Sequence, residues 1–169
     1  MTEMCIAAAN FIIEEVNKFN TTQAFENQVF MSSKRLQKLL FFSDVLYMLE
    51  HNGQSMYKDD YYAWESGPVI PSVYRAFMQY QDGAMYPQTD EPHTPINDEM
   101  KHTIRRVLYD TRTLDTSELV RQSHQDGSPW QQVYIESASE HNCAIDKDAI
   151  YKFYCENGAP YGCLTQQSN

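Results

Sequence analysis

The sequence predicts a mainly α-helical fold, a single compact domain of about six helices with one small β-hairpin or irregular aromatic element. Apolar residues recur at three- and four-residue steps along several segments, which is the period of an α-helix. Residues that cap helices stand before most of these segments. With 13% aromatic residues among 169, the chain can fill one core of moderate size. We assign residues 1–158 to this domain and expect residues 159–169 to form a flexible C-terminal tail.

The first two helices follow from their apolar patterns. Thr2 is positioned to cap a first helix, whose apolar stripe is Ile6, Ala9, Ile13 and Val16. Ser32 or Ser33 caps a second helix, which ends at the pair Asn52-Gly53. This second helix is apolar on most sides, so we expect it to be buried in the middle of the domain.

The segment from residue 54 to residue 66 is too aromatic for a loose loop, and it predicts short extended pieces or a small hairpin. Gly67-Pro68 then interrupts the chain. Pro71 suits the first turn of a third helix, which we expect to end near Asp82-Gly83. Residues 84–96 contain three prolines and predict a surface connection.

The remaining helices are marked by their caps. The four predicted capping residues are Asn97, Asp115, Ser128 and Asp146. Two of them belong to capping boxes, because Glu118 and Gln131 follow them by three residues. Gly158 is expected to end the last helix.

The net charge is −10, from 13 basic and 23 acidic residues. We expect no nucleic-acid partner, because nucleic-acid binding depends on basic side chains and the run Lys34, Arg35, Lys38 is too small a patch. The acidity either steers a basic protein partner or only keeps the protein soluble. The sequence shows no secretory signal and no apolar run of about 18 residues, so we expect a cytoplasmic protein with no membrane association and with reduced cysteines.

The residue types that catalyse reactions or bind metals form no convincing set. His51 and His124 are expected at helix C-termini, where the helix dipole favours an imidazolium. Zinc needs ligands in closer pairs than the late candidates provide, which are His141, Cys143, Cys155 and Cys163. Turn and cap roles explain the central carboxylates better than acid–base catalysis does; these are Asp44, Asp59, Asp60 and Glu65. We predict no catalytic residues, no metal, no cofactor and no enzyme, with a cysteine- or metal-dependent hydrolase as an alternative.

One stretch is specific enough to indicate a family. Its residues are Lys38-Leu39-Leu40-Phe41-Phe42, Ala63-Trp64, Gly67-Pro68-Val69, Pro71 and Val73-Tyr74, followed later by Ser123-His124 and Pro129-Trp130. This pattern resembles the Panacea domain of the SocA-like and GepA-like phage-associated antitoxins, over roughly residues 4–156. Phe41 departs from the pattern, since tyrosine is common at that place.

The resemblance implies an antitoxin of a bacterial or prophage toxin–antitoxin system, which neutralises a cognate toxin encoded nearby by direct protein contact. As an alternative it implies a proteolytic adaptor that delivers the toxin to a Clp-type protease. The rigid turn between Gly67 and Pro71, beside aromatic residues, suits a preorganised contact edge. Tryptophan is also a frequent core anchor. The predicted partner-binding residues are Trp64, Gly67, Pro68, Val69, Tyr74 and Trp130.

Overall fold

The computed structural model describes residues 3–80, 84–88, 94–137 and 142–160. Within these residues the chain forms seven α-helices and one three-stranded sheet, so the mainly α prediction is confirmed. In chain order the elements are α1 (Met4–Thr21), α2 (Ser33–Glu50), β1 (Tyr61–Trp64), β2 (Gly67–Val69), α3 (Pro71–Phe77), α4 (Asp98–Thr111), α5 (Thr116–Ser123), α6 (Pro129–Glu136), β3 (Ala144–Ile145) and α7 (Lys147–Asn157). Short 3-10 turns lie at Phe25–Asn27 and Met78–Tyr80.

Helix α2 is the centre of the domain, as its apolar pattern predicts. Every residue from Arg35 to Met48 is buried, and α1, α4, α5 and α7 all pack against this helix. Ser32 begins the helix, because its hydroxyl accepts a hydrogen bond from the Arg35 backbone amide at 3.1 Å. Because the helix is covered in this way, its polar side chains are buried as well and hydrogen-bond to other segments; they include Arg35, Gln37, Lys38 and Asp44.

The sheet confirms the predicted hairpin and adds one strand. Strands β1 and β2 pair antiparallel across a two-residue turn, with Trp64 opposite Gly67. On the other side of β1, the two-residue strand β3 pairs antiparallel, with Tyr61 opposite Ile145. The sequence did not predict β3. This strand attaches the C-terminal part of the chain to the hairpin.

The capping predictions are confirmed where the structure describes them. The predicted caps of α4 to α7 all accept a hydrogen bond from the first turn of their helix; they are Asn97, Asp115, Ser128 and Asp146. Helix α1 begins after Glu3, and the predicted cap Thr2 lies outside the described residues. The α-helical part of the third helix ends at Phe77, and a 3-10 turn continues the chain to Tyr80. The predicted end near Asp82-Gly83 lies outside the described part of the chain.

The two predicted surface segments are only partly described. The described portions of 84–96 contain no helix or strand, in agreement with a connection. Of the expected tail, residues 161–169 lie outside the described residues. No helix among the residues that the structure describes is long and apolar enough to cross a membrane.

Candidate partner-binding site

The β1–β2 hairpin contains one position, Gly67 at the start of β2, that suits only glycine. Gly67 has φ +111°, a backbone conformation that other residues rarely adopt. A Cβ atom at this position would lie 2.5 Å from Ser123 Oγ and 2.8 Å from Lys38 Nζ. At Gly67, side chains of α2 and α5 therefore pack directly against the backbone of the hairpin.

Helix α2 binds the backbone of β2 through two adjacent buried side chains. Lys38 Nζ donates to the carbonyl oxygen of Pro68 at 2.7 Å. The Gln37 amide donates to the Ile70 carbonyl oxygen at 3.2 Å and accepts from the Ile70 amide at 2.9 Å. Strand β2 lies at the edge of the sheet, so these side chains satisfy backbone groups that a neighbouring strand would otherwise pair.

Lys38 is a fully buried cation. No carboxylate forms an ion pair with it among the described residues. Burial lowers the pKa of Lys38 to about 7, and the nearby charge of Lys34 lowers it further. A neutral amine still donates to Pro68, so the contact with the hairpin does not require the charge.

The depressed pKa of Lys38 makes stability depend on pH. From pH 7 to about pH 9 the unfolded chain keeps this proton while the folded chain releases it, so stability rises with pH. Lys38→Met removes the titration, and methionine fills a similar volume. We expect the stability difference between wild type and variant to change with a slope of up to about 1.4 kcal/mol per pH unit, measured by urea unfolding. Parallel stability curves would contradict a buried, titrating Lys38.

Trp130 fixes the other strand of the hairpin. Its indole Nε1 donates to the Trp64 carbonyl oxygen at 2.8 Å, and the side chain is only 7% exposed. The ring stacks with His124 at a centroid distance of 3.9 Å and with Tyr134 at 5.0 Å. Burial, helped by the charge of Lys38, lowers the pKa of His124. This opposes the imidazolium that the sequence suggests at this helix end, because the half-buried ring stacks on Trp130.

The exposed part of the site is an aromatic and acidic groove beside β1. Trp64 and Tyr74 are partly exposed, and their rings meet edge to face at 5.1 Å. Trp64 also lines a groove of about 900 Å³, whose other lining side chains include Asp59, Asp60, Tyr62, Glu65, Ser72 and Arg75. Three carboxylates and one guanidinium therefore line an open surface.

The structure brings the six predicted residues together, but they differ in how far they are buried. Gly67, Pro68, Val69 and Trp130 are buried, whereas Trp64 and Tyr74 reach the surface. The buried members shape the hairpin, and only the partly exposed rings of Trp64 and Tyr74 reach its surface. The sequence analysis assigns Asp59, Asp60 and Glu65 to a turn and not to a groove, because a polar turn and the wall of a groove have the same local composition.

Asp44 does not belong with the groove carboxylates. It is fully buried and accepts hydrogen bonds at 2.7 Å from the Met56 amide and from the hydroxyls of Ser55 and Tyr61. Burial raises the pKa of Asp44, although these hydrogen bonds oppose the shift. Asp44 therefore anchors the segment between α2 and β1 and is not a surface acid.

The sequence predicts no metal, and one cluster of potential metal ligands consists of residues other than the late histidine and cysteines. Among the described residues, three potential ligand atoms come within 4.8 Å of one another at Glu3, Cys5 and Asp59. Burial raises the pKa of the Cys5 thiol to about 12, and the thiol donates a hydrogen bond to Asp59 Oδ2 at 3.3 Å. Of the late candidates, His141 and Cys163 lie outside the described residues.

The fold and the glycine-centred hairpin define a compact α-helical domain with a preorganised surface edge. The family model of the SocA-like antitoxin, Panacea domain, matches residues 36–131, from α2 into α6. The chain belongs to this family, and all six predicted partner-binding residues lie within the matched segment. The resemblance over roughly 4–156 is thus shown across its central part.

A curated relative carries the same family name. The chain is 28% identical to Antitoxin SocA of Caulobacter vibrioides (strain NA1000 / CB15N) over an alignment of 110 residues that covers 59% of this chain. The matched segment spans 58% of that relative's length. No solved structure gives a significant match to the chain.

Proposed function

We propose that this protein is an antitoxin that neutralises a cognate toxin, encoded nearby, by direct binding at the groove beside β1. Membership of the SocA-like antitoxin family supports the antitoxin role. The geometry supports the place: the matched residues hold a hairpin against α2, α5 and α6, and the groove lies along that hairpin. A surface fixed by the core loses little conformational entropy when it binds.

The groove fits a basic segment of the toxin. Asp59, Asp60 and Glu65 supply negative charge at one surface, in a protein whose net charge is −10. The faces of Trp64 and Tyr62 can receive a guanidinium, a contact worth about 1 kcal/mol at a partly exposed site. A toxin segment that carries Arg or Lys beside an apolar residue matches this lining in both charge and shape.

The first test is co-expression of this protein with the product of the neighbouring gene. We expect growth to be rescued and the two proteins to purify together as a stable complex. Rescue without a complex, lost in a host that lacks Clp proteases, would replace direct blocking by proteolytic delivery. Rescue without a complex in the protease-deficient host would instead indicate chemistry on the toxin. Absence of rescue would overturn the antitoxin role.

Charge reversal in the groove tests the contact site. Asp60 and Glu65 are exposed, so the double variant Asp60→Lys/Glu65→Lys should keep its melting temperature while rescue of growth is lost. Glu14→Lys/Glu156→Lys is the matched control, because it changes the net charge equally at exposed positions outside the groove. We expect the control to rescue growth. Equal loss in both variants would mean that only the overall charge matters, and full rescue by the groove variant would exclude this site.

A further inference from the structure

A second cavity lies between α1, α2 and α4 and shares no residue with the groove. It encloses about 230 Å³. Its walls are mostly apolar and include Val16, Phe19, Val29, Leu39 and Leu108. Such a lining buries hydrocarbon or an aromatic ring favourably.

Arg35 gives the cavity a buried cation. The side chain lines the cavity and is only 4% exposed. Its Nη1 and Nη2 atoms donate to the carbonyl oxygens of Leu114 and Thr111 at 2.8 and 3.0 Å, at the C-terminal end of α4. The buried Nε atom has no hydrogen-bond partner among the described residues. An unsatisfied buried donor is unfavourable, so an acceptor atom bound here would stabilise the site.

Two more arginines line the cavity on its solvent side. Arg105 is 56% exposed and forms an ion pair with Glu15 at 3.2 Å. The Arg112 guanidinium is exposed and lies 3.8 Å from the centroid of the Tyr109 ring. Glu15 is the one carboxylate among the described lining residues. Three arginines against this one carboxylate leave the lining with an excess of positive charge, while Asp115, outside the lining, also acts on Arg35.

We propose that this cavity is a binding site for a small apolar carboxylate, whose hydrocarbon part occupies the apolar walls and whose carboxylate meets the arginines. Arginine suits this role, because its planar guanidinium pairs with a carboxylate through two parallel hydrogen bonds. The volume sets the size of the ligand. A cavity of about 150 Å³ holds benzene, whereas drug-sized ligands need about 300 Å³ or more, so a ligand of about ten non-hydrogen atoms fits.

Octanoate and 1-octanol are the probes that test charge and chain separately. On the full chain we expect isothermal titration calorimetry to give one octanoate site with a Kd of about 1 mM or tighter. Octanol has the same chain without the charge, and we expect it to bind at least about tenfold more weakly. Equal binding of the two probes, or no saturable octanoate binding, would overturn the proposal.

Substitutions at the cavity test whether octanoate binds there. Arg112→Gln removes an exposed charge at the mouth and should weaken octanoate binding about tenfold. Leu108→Trp should fill the cavity and abolish binding, with unfolding of the free protein measured alongside. Arg121→Gln is the matched control, since Arg121 is an exposed arginine outside the cavity, and it should bind octanoate as the wild type does. Unchanged binding by both Arg112→Gln and a folded Leu108→Trp variant would contradict the assignment, whether or not the protein rescues growth.

Discussion

Replacing Gly67 with alanine is expected to lower the free energy of unfolding by about 3 kcal/mol or more, from backbone strain and steric overlap together. The strain arises because Gly67 has φ +111°. The overlap arises because the new Cβ would lie 2.5 Å from Ser123 Oγ and 2.8 Å from Lys38 Nζ. Neither neighbour can withdraw freely, since Ser123 Oγ donates to the Val120 carbonyl oxygen and Lys38 donates to Pro68. Chemical denaturation of the purified variant measures the loss.

Gly127→Ala is the control that separates strain from overlap. Gly127 also has a positive φ, +78°, but a Cβ there meets nothing within 4 Å. We expect this variant to lose only about 1 kcal/mol, the strain of a left-handed alanine. If the two alanine variants lost the same free energy of unfolding, steric overlap with α2 and α5 would not contribute to the loss at Gly67. The close contact of these helices with the hairpin would then be contradicted.

The parts of the fold that depend on local chemistry could be predicted from the sequence. The caps at Asn97, Asp115, Ser128 and Asp146 were predictable, because a capping side chain bonds within its own first turn. The central position of α2 was predictable too, since a helix that is apolar on most sides has to be covered on most sides. Strand β3 was not, because its two residues pair with β1 about eighty residues earlier, and two residues carry no strand pattern.

In the candidate site too, local features could be predicted from the sequence and contacts between distant segments could not. The turn at Gly67-Pro68 was predictable, because glycine and proline have backbone preferences that do not depend on distant residues. The basic run of Lys34, Arg35 and Lys38 was read as a small charged patch at a helix start, yet Arg35 and Lys38 are buried. Their partners are backbone carbonyl oxygens of Pro68, Thr111 and Leu114, which come from distant segments. No local pattern tells a buried cation from an exposed one when its acceptors are distant in sequence.

Replacing Asp44 with alanine is expected to lower the free energy of unfolding by about 3–5 kcal/mol, because two buried donors lose their acceptor and a half-buried hydroxyl loses one of two. The donors are the Met56 amide and the hydroxyls of Ser55 and Tyr61. They connect α2 to the segment before β1 and to β1 itself. We expect urea unfolding to report the loss and growth rescue to decline with it, since the hairpin and the groove depend on this connection.

Asp44→Asn is the matched variant that keeps the shape of the side chain and one carbonyl oxygen. That oxygen can still accept from the Met56 amide. Ser55 can turn its hydroxyl to the Tyr57 carbonyl oxygen, 3.0 Å away, and accept from the new amide. We therefore expect a loss of only about 1–2 kcal/mol. If asparagine were as damaging as alanine, the second carboxylate oxygen, which accepts from Tyr61, or the negative charge of Asp44 would hold this segment, because both are lost in both variants.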